Sequence, residues 1–182
     1  MSQKPIYAQI IGTGRCLPNE PISNEVLVAR MAQQGVETSD EWIRERSGIT
    51  QRYWANDDQP VSVLSEIAAR NALEMAGVSA EELDFIIIGS STPDMIFPSA
   101  ACLVQAKLGA KKAFAMDVQA ACTGFVYALS VANSMIQSGQ IKTALVIGAE
   151  TISDVLDEQD RTTAVLFGDG AGAVVVRASD EP

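Results

Sequence analysis

Short runs of branched apolar residues recur along this chain, too brief for helices and unbroken by polar residues, and they alternate with helical patterns. Phe85–Ser90 and Thr143–Gly148 are the clearest. A strand that is apolar at successive positions has both faces covered, as in a sheet lying between helices. Tyr7–Gly12, Ala113–Val118 and Ala171–Val176 supply further strands. Thr163–Phe167 reads as one more, paired with Ala171–Val176 through a tight Gly168-Asp169-Gly170 connection in which glycine would adopt positive φ. The pattern predicts an α/β fold with a largely parallel sheet.

Between the strands, helix signals are frequent. Ser23–Gln33 carries an N-cap serine and has Gly35 just past its end. Thr38-Ser39-Asp40-Glu41 reads as a capping box opening a short helix through Trp42 and Arg46. Ser62–Ala76 places Leu64, Ile67, Ala68 and Met75 at helical spacing before Gly77. Pro98 suits the start of a helix running to Leu108 and stopping at Gly109. After Cys122, the spacing of Phe125, Leu129, Ala132 and Ile136 predicts a helix that ends at Gly139. No linker, repeat or low-complexity tract interrupts residues 1–182, so they read as one domain closing in the polar tail Ser179–Pro182.

With 47% apolar residues in 182, the chain has enough for one sizeable core. Nothing in Met1–Pro5 resembles a signal peptide and no apolar run is long enough to span a bilayer, so a cytoplasmic location is expected. A net charge of −10 disfavours nucleic acid as a partner. Three cysteines, Cys16, Cys102 and Cys122, form no C-x-x-C pair, and with no histidine in the chain a zinc site is not expected. Arg44, Arg46 and Arg52 cluster, as do Lys107, Lys111 and Lys112, the lysines reading as solvated surface. The acidic run Asp154, Asp157, Glu158 and Asp160 reads as a solvated loop.

Cys122 stands apart from the other cysteines. It ends a strand and begins a helix, where unpaired N–H groups favour thiolate over thiol. Open α/β sheets bind ligands at that carboxyl edge. Cys102, within a helical apolar stretch, and Cys16, in a loop, read as structural thiols. Gly168-Asp169-Gly170-Ala171-Gly172 is a poor phosphate loop, because a branched run follows it rather than a helix. Trp42 and Arg46, four apart, share one helix face. That pairing fits either a surface contact or a platform for a purine.

The motifs Ile11-Gly12-Thr13-Gly14, Thr38-Ser39-Asp40-Glu41-Trp42-Ile43, Phe97-Pro98-Ser99-Ala100-Ala101-Cys102, Ala120-Ala121-Cys122-Thr123-Gly124-Phe125, Asp160-Arg161 and Phe167-Gly168-Asp169-Gly170-Ala171-Gly172 occur in this order. In that order the chain resembles β-ketoacyl-acyl-carrier-protein synthase III, a thiolase-superfamily acyltransferase that starts type II fatty-acid synthesis. The resemblance implies the N-terminal αβα half of a thiolase-like fold, since family members are about twice this length, a second domain's worth. It also accounts for the missing histidine: the histidine and asparagine that complete the family's site belong to the second half. This chain alone is therefore expected to be inactive.

By the same resemblance, Cys122 takes an acyl group from acyl-CoA, with its backbone N–H in the oxyanion hole. Malonyl-acyl-carrier-protein then loses carbon dioxide and its carbanion attacks the thioester. Trp42 and Arg161 flank the CoA adenine, with Thr38 and Arg46 near the nucleotide. Ile152 and Phe167 line the acyl pocket, and Phe97 reaches into that of a homodimer partner. No cofactor beyond the acyl-CoA substrate is implied, and no metal. Thr123 replaces the alanine or serine more usual after the nucleophile. With Met95 and Ile96 near the gate, it leaves acyl preference open. The same cysteine would serve a polyketide or quinolone starter-unit synthase. A non-catalytic half that binds CoA or a partner, and a redox-sensing thiol, are the other readings. An isolated half is also expected to self-associate through the apolar face its sister would cover.

Overall fold

The computed structural model describes residues 6–181, so the readings of Met1–Pro5 and of Pro182 lie outside the described residues. In chain order the elements are β1 (Tyr7–Cys16), β2 (Ile22–Ser23), α1 (Asn24–Gln33), α2 (Asp40–Ser47), β3 (Gln51–Arg52) and α3 (Val61–Ala76). Then follow β4 (Phe85–Gly89), α4 (Ala100–Leu108), β5 (Phe114–Val118), α5 (Gly124–Gln137), β6 (Thr143–Glu150), α6 (Arg161–Ala164) and β7 (Gly170–Ser179). Five strands form one mixed sheet in the order β1-β7-β6-β4-β5. β4 runs parallel to β5 and β6, whereas β7 is antiparallel to both β6 and β1. β2 and β3 make a separate two-residue ribbon.

Period-two alternation explains why β4 is buried throughout. Ile86 and Ile88 pack with Leu64, Ala68 and Val104 beneath α3 and α4, while Phe85 and Ile87 pack with Ala128, Ala132 and Ile136 of α5. The result is an αβα sandwich in which each large buried side chain contributes about 1.5–3 kcal/mol. A smaller cluster of Leu27, Met31, Ile43, Trp54, Ala164 and Val165 joins α1, α2 and α6 beside the sandwich.

Several expectations change in detail. No strand forms over Thr163–Phe167. Asp160 instead caps a short helix, accepting from the Thr162 N–H and from the hydroxyls of Thr162 and Thr163. Such local side-chain bonds compete successfully with a ladder. Gly168 and Gly170 are not at positive φ. That conformation falls at Gly35, Gly48, Gly77, Gly109 and Gly139, just past helix ends. Gly168 is instead needed for space, since a Cβ there would lie 3.0 Å from the Tyr53 carbonyl oxygen. Ser39, not Thr38, caps α2, its hydroxyl accepting the Trp42 N–H at 3.1 Å, so the Thr38–Glu41 box does not form. α4 starts after the cap Ser99, two residues beyond Pro98.

Ile67 and Met75 lie on the exposed side of α3, whose buried stripe runs through Leu64, Ala68, Ala69 and Ala72. Phe125 and Leu129 are only half-buried. Cys16 ends β1 rather than lying in a loop. Arg52 is buried rather than clustered with Arg44 and Arg46, donating to Asn24 and to the carbonyls of Ile22 and Val165.

Candidate active site

Because β4, β5 and β6 are parallel, their carboxyl ends share one rim, and α5 begins there. Its first turn rests directly on the sheet. A Cβ at Gly89 would fall 2.3 Å from the Gly124 carbonyl carbon, and one at Gly148 would fall 3.0 Å from the Phe125 Cβ. Bare backbone at these strand positions lets the helix start close to the sheet. Residues 121–123 form a single tight turn immediately before α5, and Cys122 lies in its middle, exposed. The other two thiols differ. Cys16 is buried, which pushes its pKa up, and Cys102 is half-buried against the Ser99 hydroxyl.

The segment between β4 and α4 frames this rim and is held by three carboxylates. Glu150, ending β6, accepts the Ser91 N–H at 2.8 Å and the Thr92 hydroxyl. Asp117 in β5 accepts the Ala100 and Ala101 N–H groups, both at 2.8 Å, and so fixes the start of α4. Negative charge there also suits the helix dipole. Asp94 receives the N–H and hydroxyl of Ser62 at the start of α3. A groove of about 340 Å³ runs beside the turn, lined by Ser91, Thr92, Met95, Ile96, Gln119 and Val155.

Asp169 is the buried anchor on the other side of the rim. It accepts from the Ala55 N–H at 2.7 Å and from the Ser153 N–H at 2.9 Å, as well as from the Ser153 hydroxyl. It thereby joins the start of β7 to the turn that carries Ile152. Phe167 is partly exposed, and its carbonyl accepts from the Trp54 indole at 3.2 Å. Phe97 is 87% exposed and points away from the chain's own core, next to Ile96 at 94%.

The remaining sequence-derived residues gather on the α1–α2 layer. The guanidinium carbons of Arg46 and Arg161 lie 4.6 and 4.7 Å from the Trp42 ring centroid, within cation–π range. Arg161 also donates to the Glu37 carbonyl at 2.8 Å. Next to Glu37, the Thr38 hydroxyl is buried with no hydrogen-bond partner among the described residues. Sequence reasoning thus found both groups, one around Cys122 and one around Trp42. It missed Ser91, Glu150, Asp117 and Asp169. A lone acidic residue closing a branched apolar strand, as Glu150 does after Thr143–Gly148, was the available signal. Asp169 lay hidden inside a stretch read as a turn.

A family model described as 3-Oxoacyl-[acyl-carrier-protein (ACP)] synthase III matches residues 116–182, the span from β5 through Cys122 to the end. The 3-oxoacyl-acyl-carrier-protein synthase III of Aquifex aeolicus VF5 is 50% identical and superposes with a TM-score of 0.89 over 96% of this chain. The chain is similar to 3-oxoacyl-acyl-carrier-protein synthase III. The family enzyme of Pseudomonas aeruginosa PAO1 is 42% identical, with a TM-score of 0.87 over 95% of the chain. The priming β-ketosynthase of the R1128 polyketide pathway is 35% identical, with a TM-score of 0.92 over the whole chain. This chain covers 55%, 52% and 53% of those three proteins respectively, so it spans about half their length. The fold is thiolase-like, as in these synthase III structures.

Proposed function

We propose that this chain is the thiol-bearing half of a condensing enzyme that joins an acyl group from acyl-CoA to malonyl-acyl-carrier-protein. The observation that carries the reading is Cys122: one exposed thiol, in a tight turn before α5, at the rim shared by three parallel strands. In the first step the Cys122 sulfur attacks the acyl-CoA carbonyl. The bond from that carbonyl to the CoA sulfur breaks, and CoA leaves as a thiol after taking up a proton. The Cys122 N–H is one donor to the oxyanion. In the second step malonyl-acyl-carrier-protein releases carbon dioxide, and its carbanion attacks the acyl-cysteine carbonyl. A carbon–carbon bond forms, the Cys122 thioester breaks, and 3-oxoacyl-acyl-carrier-protein departs.

This chain has no histidine. The histidine and asparagine that polarise the malonyl carbonyl belong, on this reading, to the other half of the enzyme. That half would cover Val126 and Tyr127 of α5, which are 57% and 55% exposed. Residues 1–182 then form one domain, without condensing activity of its own. No metal or cofactor enters either step.

Trp42, Arg161, Thr38 and Arg46 form the nucleotide end of the CoA site. A base held between Trp42 and Arg161 needs about 7 Å, two van der Waals contacts, between them. Arg161 stands at 4.7 Å, so it swings outward from Glu37 as adenine enters. Ile152 and Phe167 line the acyl pocket. Phe97, already projecting, enters the pocket of the second subunit of a homodimer. A cytoplasmic location accords with this chemistry; among the described residues no helix is long and apolar enough to cross a membrane.

The test supplies acetyl-CoA and malonyl-acyl-carrier-protein to this chain alone and to the chain joined to the remaining half of the Aquifex aeolicus relative. The expected result is 3-oxoacyl product from the joined protein and none from its Cys122→Ala variant. Product from that variant, or from the unjoined chain, would overturn the reading. A specialised starter-unit role is the second reading, favoured by the close superposition on the polyketide priming β-ketosynthase. Indifference of the joined protein to acetyl-CoA, with turnover of longer acyl-CoAs, would select it.

A further inference from the structure

Ala121, the residue before Cys122, has φ of +46°, a left-handed backbone that non-glycine residues adopt only when their surroundings impose it. What imposes it here comes from another strand. The Ala121 N–H donates to the Ser91 hydroxyl at 3.0 Å. Ser91 is itself held: its N–H donates to Glu150 Oε1 at 2.8 Å, and its neighbour Thr92 donates its hydroxyl to Glu150 Oε2. The Thr92 hydroxyl oxygen in turn accepts the Thr151 N–H at 2.8 Å. On the other side, buried Ser90 donates its N–H to the Val118 carbonyl of β5 at 3.2 Å. The ends of three parallel strands are thus laced together, and the Ser91 hydroxyl passes that rigidity to the turn.

We propose that Ser91, held in place by Glu150, is a positioning residue that fixes the Ala121 peptide and so aims the Cys122 sulfur. The consequence for acyl transfer rests on the function proposed above. The positioning itself does not, and the two fail separately. Downstream of Ala121 the turn is closed by its own bonds: Thr123 donates its N–H and its hydroxyl to the Ala120 carbonyl at 3.1 and 2.8 Å. The seat of Gly124 on Gly89 fixes the helix that follows. With both ends fixed, rotation of the Ala120–Ala121 peptide is the freedom left to the turn. The Ser91 hydroxyl removes it. Ser91 touches neither sulfur nor substrate on this account; its effect passes through Ala121.

The experiment compares the parent protein with Ser91→Ala, Ser91→Thr and Glu150→Gln. Two readouts are used: iodoacetamide alkylation of Cys122, followed by peptide mapping, and the backbone amide and Cα resonances of Ala121. Losing a hydrogen bond of ordinary strength changes the alkylation rate about fivefold. Ser91→Ala is therefore expected to slow alkylation by about that factor and to move the Ala121 resonances away from left-handed values, with the melting temperature lowered by only about 2–4 °C and the fold retained. Ser91→Thr keeps the hydroxyl and restores both readouts. Glu150→Gln retains an oxygen that accepts the Ser91 N–H and gives a change in the same direction but smaller.

If Ser91→Ala leaves both the rate and the Ala121 resonances unchanged, or if Ser91→Thr fails to restore them, the positioning role is overturned. A parent protein that never accepts an acyl group, yet shows these Ser91 effects, keeps the positioning role and overturns the function instead.

Discussion

Replacing Gly89 with alanine puts one methyl group where the first turn of α5 lies. Its Cβ would sit 2.3 Å from the Gly124 carbonyl carbon, 2.6 Å from the Phe125 nitrogen and 2.7 Å from the Gly124 oxygen. Carbon atoms rest at about 3.5–4.0 Å, so the helix start must rise by about 1 Å or β4 must sink by as much. Neither side has a flexible side chain to yield, since every atom met is backbone. Overpacking of this kind costs typically 1–3 kcal/mol, and the rigidity here argues for about 3 kcal/mol. The lifted turn is the one that carries Cys122, and a 1 Å misplacement near a reacting atom costs about a hundredfold in rate. Urea denaturation reads the first quantity, and acylation of Cys122 by acetyl-CoA, followed by mass spectrometry, reads the second. Gly148→Ala serves as the milder comparison, because its new methyl meets the Phe125 side chain at 3.0 Å. If Gly89→Ala unfolds within about 0.5 kcal/mol of the parent and acylates as fast, the account of how α5 is seated is wrong.

Trp42→Ala should weaken binding of CoA about tenfold in calorimetry through lost stacking, and leave 4′-phosphopantetheine, which lacks the base, unaffected. Equal losses for both ligands would contradict the adenine assignment. The hydroxyl of Thr162, that of Thr163 and the Thr162 N–H hold the Asp160 pKa below its ordinary value. Its support of α6 is therefore complete above the unfolded value of about 3.9 and is lost as pH falls through the lower folded value. Acidification through that lowered folded value should shift the Trp42 indole resonance as Arg161 leaves the ring, an effect absent in Asp160→Asn; a resonance that stays constant until the whole chain unfolds in acid would refute it. Asp169→Ala leaves the Ala55 and Ser153 N–H groups without their charged acceptor and should cost about 3 kcal/mol in denaturant unfolding. A change below about 0.5 kcal/mol would show that the anchor is dispensable.

The strands that sequence showed most clearly were those with two buried faces. Phe85–Gly89 and Thr143–Glu150 carry an unbroken apolar signal because helices cover them on both sides. Helix ends were equally legible, since Gly77 and Gly109 leave each helix in the left-handed conformation that favours glycine. Thr163–Phe167 misled because its residues favour strands in isolation, while the two threonines answer to Asp160 in the fold. Cys122 could be singled out because its position between strand and helix is local information. Ser91 and Glu150 could not, because their partners lie 30 and 59 residues away and only the parallel register brings them together. The contact of Trp42 with Arg161 is likewise a product of folding, whereas its pairing with Arg46 was visible as a four-residue spacing.

Everything proposed for function converges on the sulfur of Cys122, and direct acylation interrogates it. The protein is mixed with acetyl-CoA, quenched in acid, digested and mapped by mass spectrometry, with Cys122→Ala alongside. The account predicts one acetyl group on the peptide containing Cys122, none on those containing Cys16 or Cys102, and no modification of the variant. An acyl group carried on Cys102, or a Cys122 left unmodified by acetyl-CoA and by longer acyl-CoAs alike while iodoacetamide alkylates it freely, would contradict it.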